Sequence, residues 1–159
     1  EASDAIGQWT GGAFDNIAII VSGLASLDAW AAAFGLYGSD ALDSADPELD
    51  GLNNWTEFLL GGNPTLSDAA EILPTLATVT DGGTNALEYV YSRRSDYLAR
   101  GLDYIVETST TLLEGSWNTN GTLFERVNEL GNGFDEVTLD LPLSIEPQLF
   151  IRLRIESPQ

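Results

Sequence analysis

The stretch DPELDGLNNWTE, residues 46–57, decides how the first half of this chain folds. It holds four carboxylates within twelve residues, those of Asp46, Glu48, Asp50 and Glu57, around a central Gly51. Two like charges about 4 Å apart repel each other by roughly 1 kcal/mol in water and by about 4 kcal/mol at an intermediate dielectric. A cluster of this kind opposes folding unless a cation joins it.

The spacing matches a twelve-position calcium-binding loop, in which alternate early positions and the last position supply oxygen atoms. Counted from Asp46, Gly51 falls at position 6, where the backbone turns sharply, and Glu57 falls at position 12 as a bidentate carboxylate. A hard cation takes about six to eight oxygens at about 2.3–2.6 Å. We therefore predict a Ca²⁺ site whose ligands are Asp46, Glu48, Asp50, the carbonyl of Leu52, Asn54 and Glu57.

An acidic, solvated loop before a helix, with Asp50 as the N-cap, is the alternative interpretation. It accounts for Asp50 and Gly51 but leaves the full set of carboxylates unexplained. Two residues depart from the usual loop: Glu48 stands where Asp or Asn is common, and Asn53 stands where paired EF-hands have an aliphatic residue. The second departure favours a solitary loop.

Helical patterns flank the loop on both sides and predict a helical hairpin over residues 26–64. In SLDAWAAAFGLY, residues 26–37, Ser26 suits the N-cap and the apolar residues recur at helical spacing. A second helix at about 53–60 is stopped by Gly61-Gly62 and the following Asn63-Pro64. Trp30 and Trp55 lie on the apolar faces, which favours core packing over ligand contact.

From about residue 72 the apolar period changes from 3.6 to 2, which is typical of strands. Asp81-Gly82-Gly83-Thr84 and Asn120-Gly121 are hairpin signals between short alternating segments. The predicted fold class is mainly β, an antiparallel β-sandwich or barrel of about seven strands over residues 73–159. Residues 64–73 are predicted to be a linker or a short helix.

The N-terminal segment, residues 1–25, contains a glycine-bounded, β-branched stretch at 13–22 that predicts one strand. This strand has no partner nearby in sequence. It could be donated to a neighbouring subunit and build a filament or surface layer. It could also pair within its own chain or belong to an upstream domain.

The segment LDAWAAAFGLYGSDALDSADPELDGLNNWTEFLLGGNPT resembles a calcium-loop region near the C-termini of large secreted proteins of Planctomycetes and Verrucomicrobia. The loop also resembles thrombospondin type 3 and dockerin-like calcium loops. LEYVYSRRSDYLARGLDYIVETSTTLLEGSW and LFIRLRI resemble the β-domain that follows in those proteins, and AFDNIAIIVSG resembles the last strand of a preceding lectin-like sandwich. The resemblance implies an extracellular or cell-surface location.

Composition excludes several classes of function. The net charge is −19, and the chain has no Cys, His, Met or Lys, so its only basic residues are six arginines. This charge disfavours nucleic acids and anionic membranes as partners. The longest apolar run is too short to span a bilayer. The absence of Met at residue 1 indicates a removed leader or a piece of a longer chain.

Catalysis has little support, because a chain without His, Cys or Lys lacks the groups of a triad, a thiolate or a Schiff base. A glycosidase with two carboxylates remains open on composition alone. We therefore predict a non-catalytic, calcium-stabilised extracellular structural or adhesion module. A carbohydrate-binding accessory domain is the alternative, with Trp117 as the candidate sugar-stacking residue.

The arginines are interpreted as partners of carboxylates rather than as an anion site. Arg93 and Arg94 are predicted to pair with local acids. Arg152 and Arg154 share a strand face, and acidic residues such as Asp135 or Glu136 are their predicted cross-strand partners.

Overall fold

The computed structural model describes residues 26–81, 84–119, 124–142 and 148–157. Its helices are α1 (Leu27–Ala33), α2 (Asn54–Leu60) and α3 (Ala69–Ile72), with 3₁₀ turns at Gly38–Ala41 and Leu98–Arg100. Its strands are β1 (Thr75–Asp81), β2 (Thr84–Arg94), β3 (Asp103–Ser109), β4 (Phe124–Glu129), β5 (Phe134–Pro142) and β6 (Phe150–Glu156).

The two main helices begin and end at residues that suit their termini. The Ser26 hydroxyl accepts a hydrogen bond from the Ala29 amide at 3.2 Å, which confirms the predicted N-cap of α1. At α2 the cap is Asn53, whose Oδ1 accepts from the Thr56 amide at 2.9 Å. The alternative in which Asp50 caps this helix is therefore wrong. Gly61 ends α2 in the left-handed conformation, with φ of 93°.

The strands form two antiparallel sheets, one ordered β1-β2-β5-β4 and one consisting of β3 and β6. The mainly-β prediction is confirmed, but the described residues contain six strands, and a seven-stranded sandwich is not confirmed. Around Trp117 the expected strand is reduced to one bridge between Thr108 and Asn118. The Ser116 hydroxyl there donates to the Leu113 carbonyl at 2.6 Å, and such local bonds compete with strand pairing.

One of the two predicted hairpins can be compared directly with the fold. Asp81 pairs with Thr84, so the hairpin predicted at 81–84 is confirmed. The predicted strand at 13–22 and the Asn120-Gly121 hairpin lie outside the described residues.

The core lies where the strands and α2 meet. Tyr89 and Tyr91 of β2 stand opposite Leu139 and Val137 of β5, and all four are buried. The Tyr91 ring stacks on the ring of Tyr104 in β3, with centroids 6.2 Å apart, so side chains of the two sheets meet. Tyr104 also reaches the carbonyl end of α2, where its hydroxyl donates to the Leu59 carbonyl.

Helix α2 belongs to the same core as the strands. Phe58, Leu59 and Leu60 are each at most 4% exposed and join the cluster formed by the buried strand residues. Burying side chains of this size contributes about 1.5–3 kcal/mol each. Trp30 and Trp55 both contact the Phe58 ring with centroids 5.7 Å apart, which confirms their packing role.

Candidate metal centre

The loop between the 3₁₀ turn and α2 is closed by its own backbone. The amide of Asn54 donates to the Ala45 carbonyl at 2.8 Å, and the amide of Trp55 donates to the Asp43 carbonyl at 3.0 Å. Gly51 has φ of 95°, a conformation that favours glycine, as expected for position 6 of the loop. Leu49 is the one non-glycine residue of the described chain with a positive φ, 60°.

Three carboxylates converge inside this loop. One oxygen from each of Asp46, Glu48 and Asp50 lies within 4.8 Å of the other two. Asp46 accepts from the amides of Asp50 and Gly51 at 3.2 and 3.1 Å. Both carboxylate oxygens of Glu48 are buried and have no hydrogen-bond partner among the described residues. These three acids could hold a metal ion.

Glu57, the predicted bidentate residue, is the most deeply buried carboxylate among the described residues. Its side chain is 0% exposed, and neither oxygen has a hydrogen-bond partner in the part of the chain that the structure describes. Burial raises the pKa of Glu57 to about 8, with further contributions from Glu48, Asp68, Asp50 and Asp46. A carboxylate with no donor and like-charged neighbours is what a divalent cation would bind.

Leu52 and Asn54 lie in the same loop with different contacts. The Leu52 amide donates to Asp50 Oδ1 at 2.9 Å. Asn54 is fully buried, and its Nδ2 donates to the carbonyls of Asp40 and Leu42 at 2.8 and 2.7 Å, which ties the loop to the 3₁₀ turn. Asn54 Oδ1 has no partner among the described residues. Ligation by these two residues stays a prediction.

Asp68 lies next to the three converging carboxylates, and the sequence reasoning missed it. The amides of Asp68 and Ala69 donate to Asp50 Oδ2 at 3.0 and 2.8 Å. Asp68 Oδ2 accepts from the Asn63 amide at 3.0 Å, whereas its Oδ1 is buried without a partner among the described residues. The Gly-Gly-Asn-Pro turn before it was the available signal, because such a turn reverses the chain toward the loop.

The carbonyl end of α2 is bound by groups from the strands. Arg94 Nη1 donates to the Phe58 carbonyl at 3.1 Å, and its guanidinium lies 4.3 Å from the centroid of the Phe58 ring. The Tyr104 hydroxyl donates to the Leu59 carbonyl at 2.7 Å. These bonds satisfy two carbonyls that the helix itself leaves without donors. The helical turn that carries Glu57 is therefore held by side chains of β2 and β3.

All six arginines are engaged by carboxylates outside the loop. Their partners are Glu125 and Asp135 for Arg93, Asp96 for Arg94 and Arg100, Glu88 and Asp140 for Arg126, and Glu107 for Arg152 and Arg154. The prediction that Arg93 and Arg94 pair with acids is confirmed, but only Arg94 has a partner nearby in sequence, since the partners of Arg93 lie on β4 and β5. The partners predicted for Arg152 and Arg154 are wrong, because β6 pairs with β3, and so faces Glu107 rather than β5. Because the sequence has no Lys or His, no basic side chain is left for the loop.

Trp117, the candidate sugar-stacking residue, is half-buried. The guanidinium of Arg152 lies 4.2 Å from the centroid of the Trp117 ring. One face of the indole is therefore covered by a cation.

Comparison with protein-family models, with characterised proteins and with solved structures finds no match for this chain. Among the described residues, no helix has the length and apolar character needed to cross a bilayer. The functional argument therefore rests on the geometry of the loop and its surroundings.

Proposed function

We propose that this chain is a non-catalytic structural module of a secreted or cell-surface protein, made rigid by one bound Ca²⁺. The ion would be held by the loop at 46–57 and would fix α2 in place above the strands. The observation that carries this proposal is the Glu57 carboxylate, which is fully buried, has no donor among the described residues and lies among like charges.

The charge balance supports a cation in the loop. Every arginine pairs with a carboxylate elsewhere, so the acids of the loop have no basic side chain to neutralise them. An uncompensated buried charge costs about 3–5 kcal/mol when its partner is removed. A bound dication would remove this cost, which makes metal binding a source of folding free energy.

Calcium fits the donor set better than the other common cations. The side chains available are carboxylates and one amide, without any thiolate or imidazole, and oxygen-only donors suit hard cations. Mg²⁺ demands a near-ideal octahedron and keeps several waters, whereas Ca²⁺ accepts bidentate carboxylates and irregular geometry. The loop, with Glu57 at position 12, has the arrangement that Ca²⁺ tolerates.

The contacts of α2 with the strands indicate how a bound ion would stabilise the fold. Glu57 is adjacent to Phe58, whose carbonyl and ring contact Arg94 of β2, and Leu59 accepts from Tyr104 of β3. A cation held by Glu57 would therefore connect the loop, through one helical turn, to both sheets. Stiffening of this kind is a structural role and requires no reaction.

Thermal unfolding with calcium, with magnesium and with a chelator tests the proposal. A ligand present at about 100 times its Kd stabilises the folded state by about 2.7 kcal/mol, which corresponds to roughly 5–10 °C in Tm for a chain of this size. We expect that shift with calcium and a smaller one with magnesium. An unchanged Tm at calcium concentrations well above the range for extracellular modules, about 10⁻⁴–10⁻³ M, would contradict it.

Self-assembly by strand addition is a second candidate function, and one observation favours it. Among the described residues β6 pairs only with β3, and its other edge has no partner strand there; an edge of this kind can accept an added strand. The predicted donor at 13–22 is the segment to remove. Negative-stain microscopy in calcium should show filaments for the full chain and single particles after deletion of residues 1–22. Single particles for the full chain would contradict it.

Carbohydrate binding is favoured less, because Arg152 covers one face of the Trp117 ring. A polysaccharide pull-down with Trp117→Ala tests this alternative. Binding that depends on Trp117 would support it.

A further inference from the structure

We propose that Asp68 is a direct ligand of the bound cation, supplied from outside the twelve-residue loop by the connector between α2 and β1. The connector comprises residues 61–74. This inference rests on the proposed calcium site and adds to it a ligand that the loop spacing does not contain. If so, the ion also fixes the conformation of the connector that leads into β1.

The position of Asp68 is set by its backbone rather than by its side chain. The amides of Asp68 and Ala69 both donate to Asp50 Oδ2, at 3.0 and 2.8 Å. Asp50 is one of the three acids whose oxygens converge within 4.8 Å. The start of α3 is therefore held against position 5 of the loop.

The orientation of the Asp68 carboxylate leaves one oxygen for a ligand. Oδ2 is used by the Asn63 amide at 3.0 Å, which fixes the rotation of the group. Oδ1 is buried and has no hydrogen-bond partner among the described residues, as is true of both oxygens of Glu57 and of Glu48. The loop and the connector together thus hold five buried carboxylate oxygens without a donor among the described residues, two each from Glu48 and Glu57 and one from Asp68.

The charge of Asp68 acts on Glu57. Burial and then Glu48 are the largest causes of the raised pKa of Glu57, and Asp68 follows them. Burial also raises the pKa of Asp68, with Asp50 as the largest like-charged contributor. The two acids therefore repel each other and the loop in the absence of a cation, and a shared dication would reverse this.

The connector packs closely on the stem of Glu57 at Gly62. A Cβ added to Gly62 would lie 2.5 Å from Ile72 Cδ1 and 3.0 Å from Glu57 Cβ. Gly62 therefore packs tightly between the stem of Glu57 and the side chain of Ile72 in α3. Because β1 begins at Thr75, an ion bound to both Glu57 and Asp68 would order the chain up to the first strand.

The test compares Asp68→Asn with Glu71→Gln in the full chain. Both variants remove one negative charge near the loop, but Glu71 is exposed, and Asn at 68 can still accept from the Asn63 amide. By calorimetric titration with CaCl₂, we expect Asp68→Asn to weaken binding by about tenfold or more, the lower end of what metal-site contacts cost. Glu71→Gln should bind within a few-fold of the wild type.

Luminescence decay of bound Tb³⁺ in H₂O and D₂O counts the waters on the ion. Loss of a ligand should add a bound water in Asp68→Asn and none in Glu71→Gln. Equal calcium affinity and an equal water count in the two variants would overturn the inference while leaving the calcium site intact. A wild-type chain that binds no calcium would instead overturn the proposed function.

Hydrogen exchange of the wild type keeps the test decisive if Asp68→Asn does not fold. Calcium should slow exchange of the amides of Asp68 and Ala69, which donate to Asp50. Slowing confined to residues 46–57, with residues 61–74 unchanged, would overturn the inference.

Discussion

Asp96, just after β2, is a half-buried carboxylate, and Glu57, at the end of the acidic loop, is a fully buried one, and the two have opposite surroundings. Burial alone would raise the pKa of Asp96, but hydrogen bonds from Arg100 and Arg94 outweigh it and lower the pKa to about 2. Glu57 has no such donor, and burial among like charges raises its pKa to about 8. The comparison teaches that arginine compensates paired acids of the β-region, such as Asp96, whereas the acids of the loop have no basic partner among the described residues.

The largest expected effect comes from Glu57→Gln, which removes the buried charge but keeps the shape of the side chain. We expect the calcium-dependent stabilisation, about 3 kcal/mol at 100 times the Kd, to fall below about 1 kcal/mol. In chelator near neutral pH the variant should be about as stable as the wild type, because a pKa of about 8 leaves the Glu57 carboxyl largely protonated there. Urea unfolding followed by circular dichroism, with and without calcium, measures both quantities.

Asp103→Asn is the matched control for that variant, since it removes an exposed carboxylate on β3. It should retain the full calcium response. A Glu57→Gln chain that calcium stabilises as much as the wild type would show that the two regions do not differ in the way described.

The next largest effect is expected for Arg94→Met, which removes one of the two arginines that pair with Asp96. Arg94 binds Asp96 at 2.8 Å, donates to the Phe58 carbonyl and lies over the Phe58 ring. We expect a loss of about 2–3 kcal/mol, below the full cost of breaking a buried pair because Arg100 still binds Asp96. The loss should be similar in calcium and in chelator. Arg126→Met, at a more exposed pair, should cost less than about 1 kcal/mol by the same urea measurement.

The pH dependence of Asp96 is the third effect. Its folded pKa lies below its unfolded value, so it contributes stability above about pH 4 that is lost as the pH falls toward the folded pKa of about 2. Since the side chain is 31% exposed, we expect about 1–2 kcal/mol after allowance for screening. In urea unfolding in chelator, the stability difference between the wild type and Asp96→Asn should shrink from pH 5 to pH 2. A constant difference would contradict the assignment.

The smallest effect is a gain at Leu49, which is 84% exposed and has φ of 60°. Asn adopts this conformation more readily than Leu, so Leu49→Asn should stabilise the calcium-bound form by about 0.5 kcal/mol. Leu49→Ala retains a Cβ and should give no such gain. Thermal unfolding in calcium compares the two, and an equal Tm would show that the loop is not strained at this residue.

Local features of the fold were predictable because they depend on neighbouring residues. Ser26 and Gly61 bound their helices as expected, and the Asp81–Thr84 hairpin formed as its sequence indicates. The N-cap of α2 was assigned to Asp50 in the alternative interpretation, but Asn53 has this role. Asp50 and Asn53 lie three residues apart and can both cap a helix, so only the path of the loop decides which of them does.

Contacts between distant segments were less predictable. Glu107 is the partner of Arg152 and Arg154 because β6 pairs with β3, and strand order depends on closing long loops. The position of Asp68 was unpredictable for the same reason, because it reaches the loop only after the turn that follows Gly62. The spacing of residues 46–57 contains no information about a residue outside them.

By itself, the sequence determined the spacing of the acids in the loop and an excess of negative charge with only six arginines to offset it. The tertiary structure alone decided which acids those arginines bind, that Glu57 has no exposed surface, and that Asp68 arrives beside Asp50. The physical reason is the sequence separation of the interacting groups. The spacing of ligands within a twelve-residue loop is set by local backbone geometry, whereas burial and ion pairing depend on which distant segments pack together.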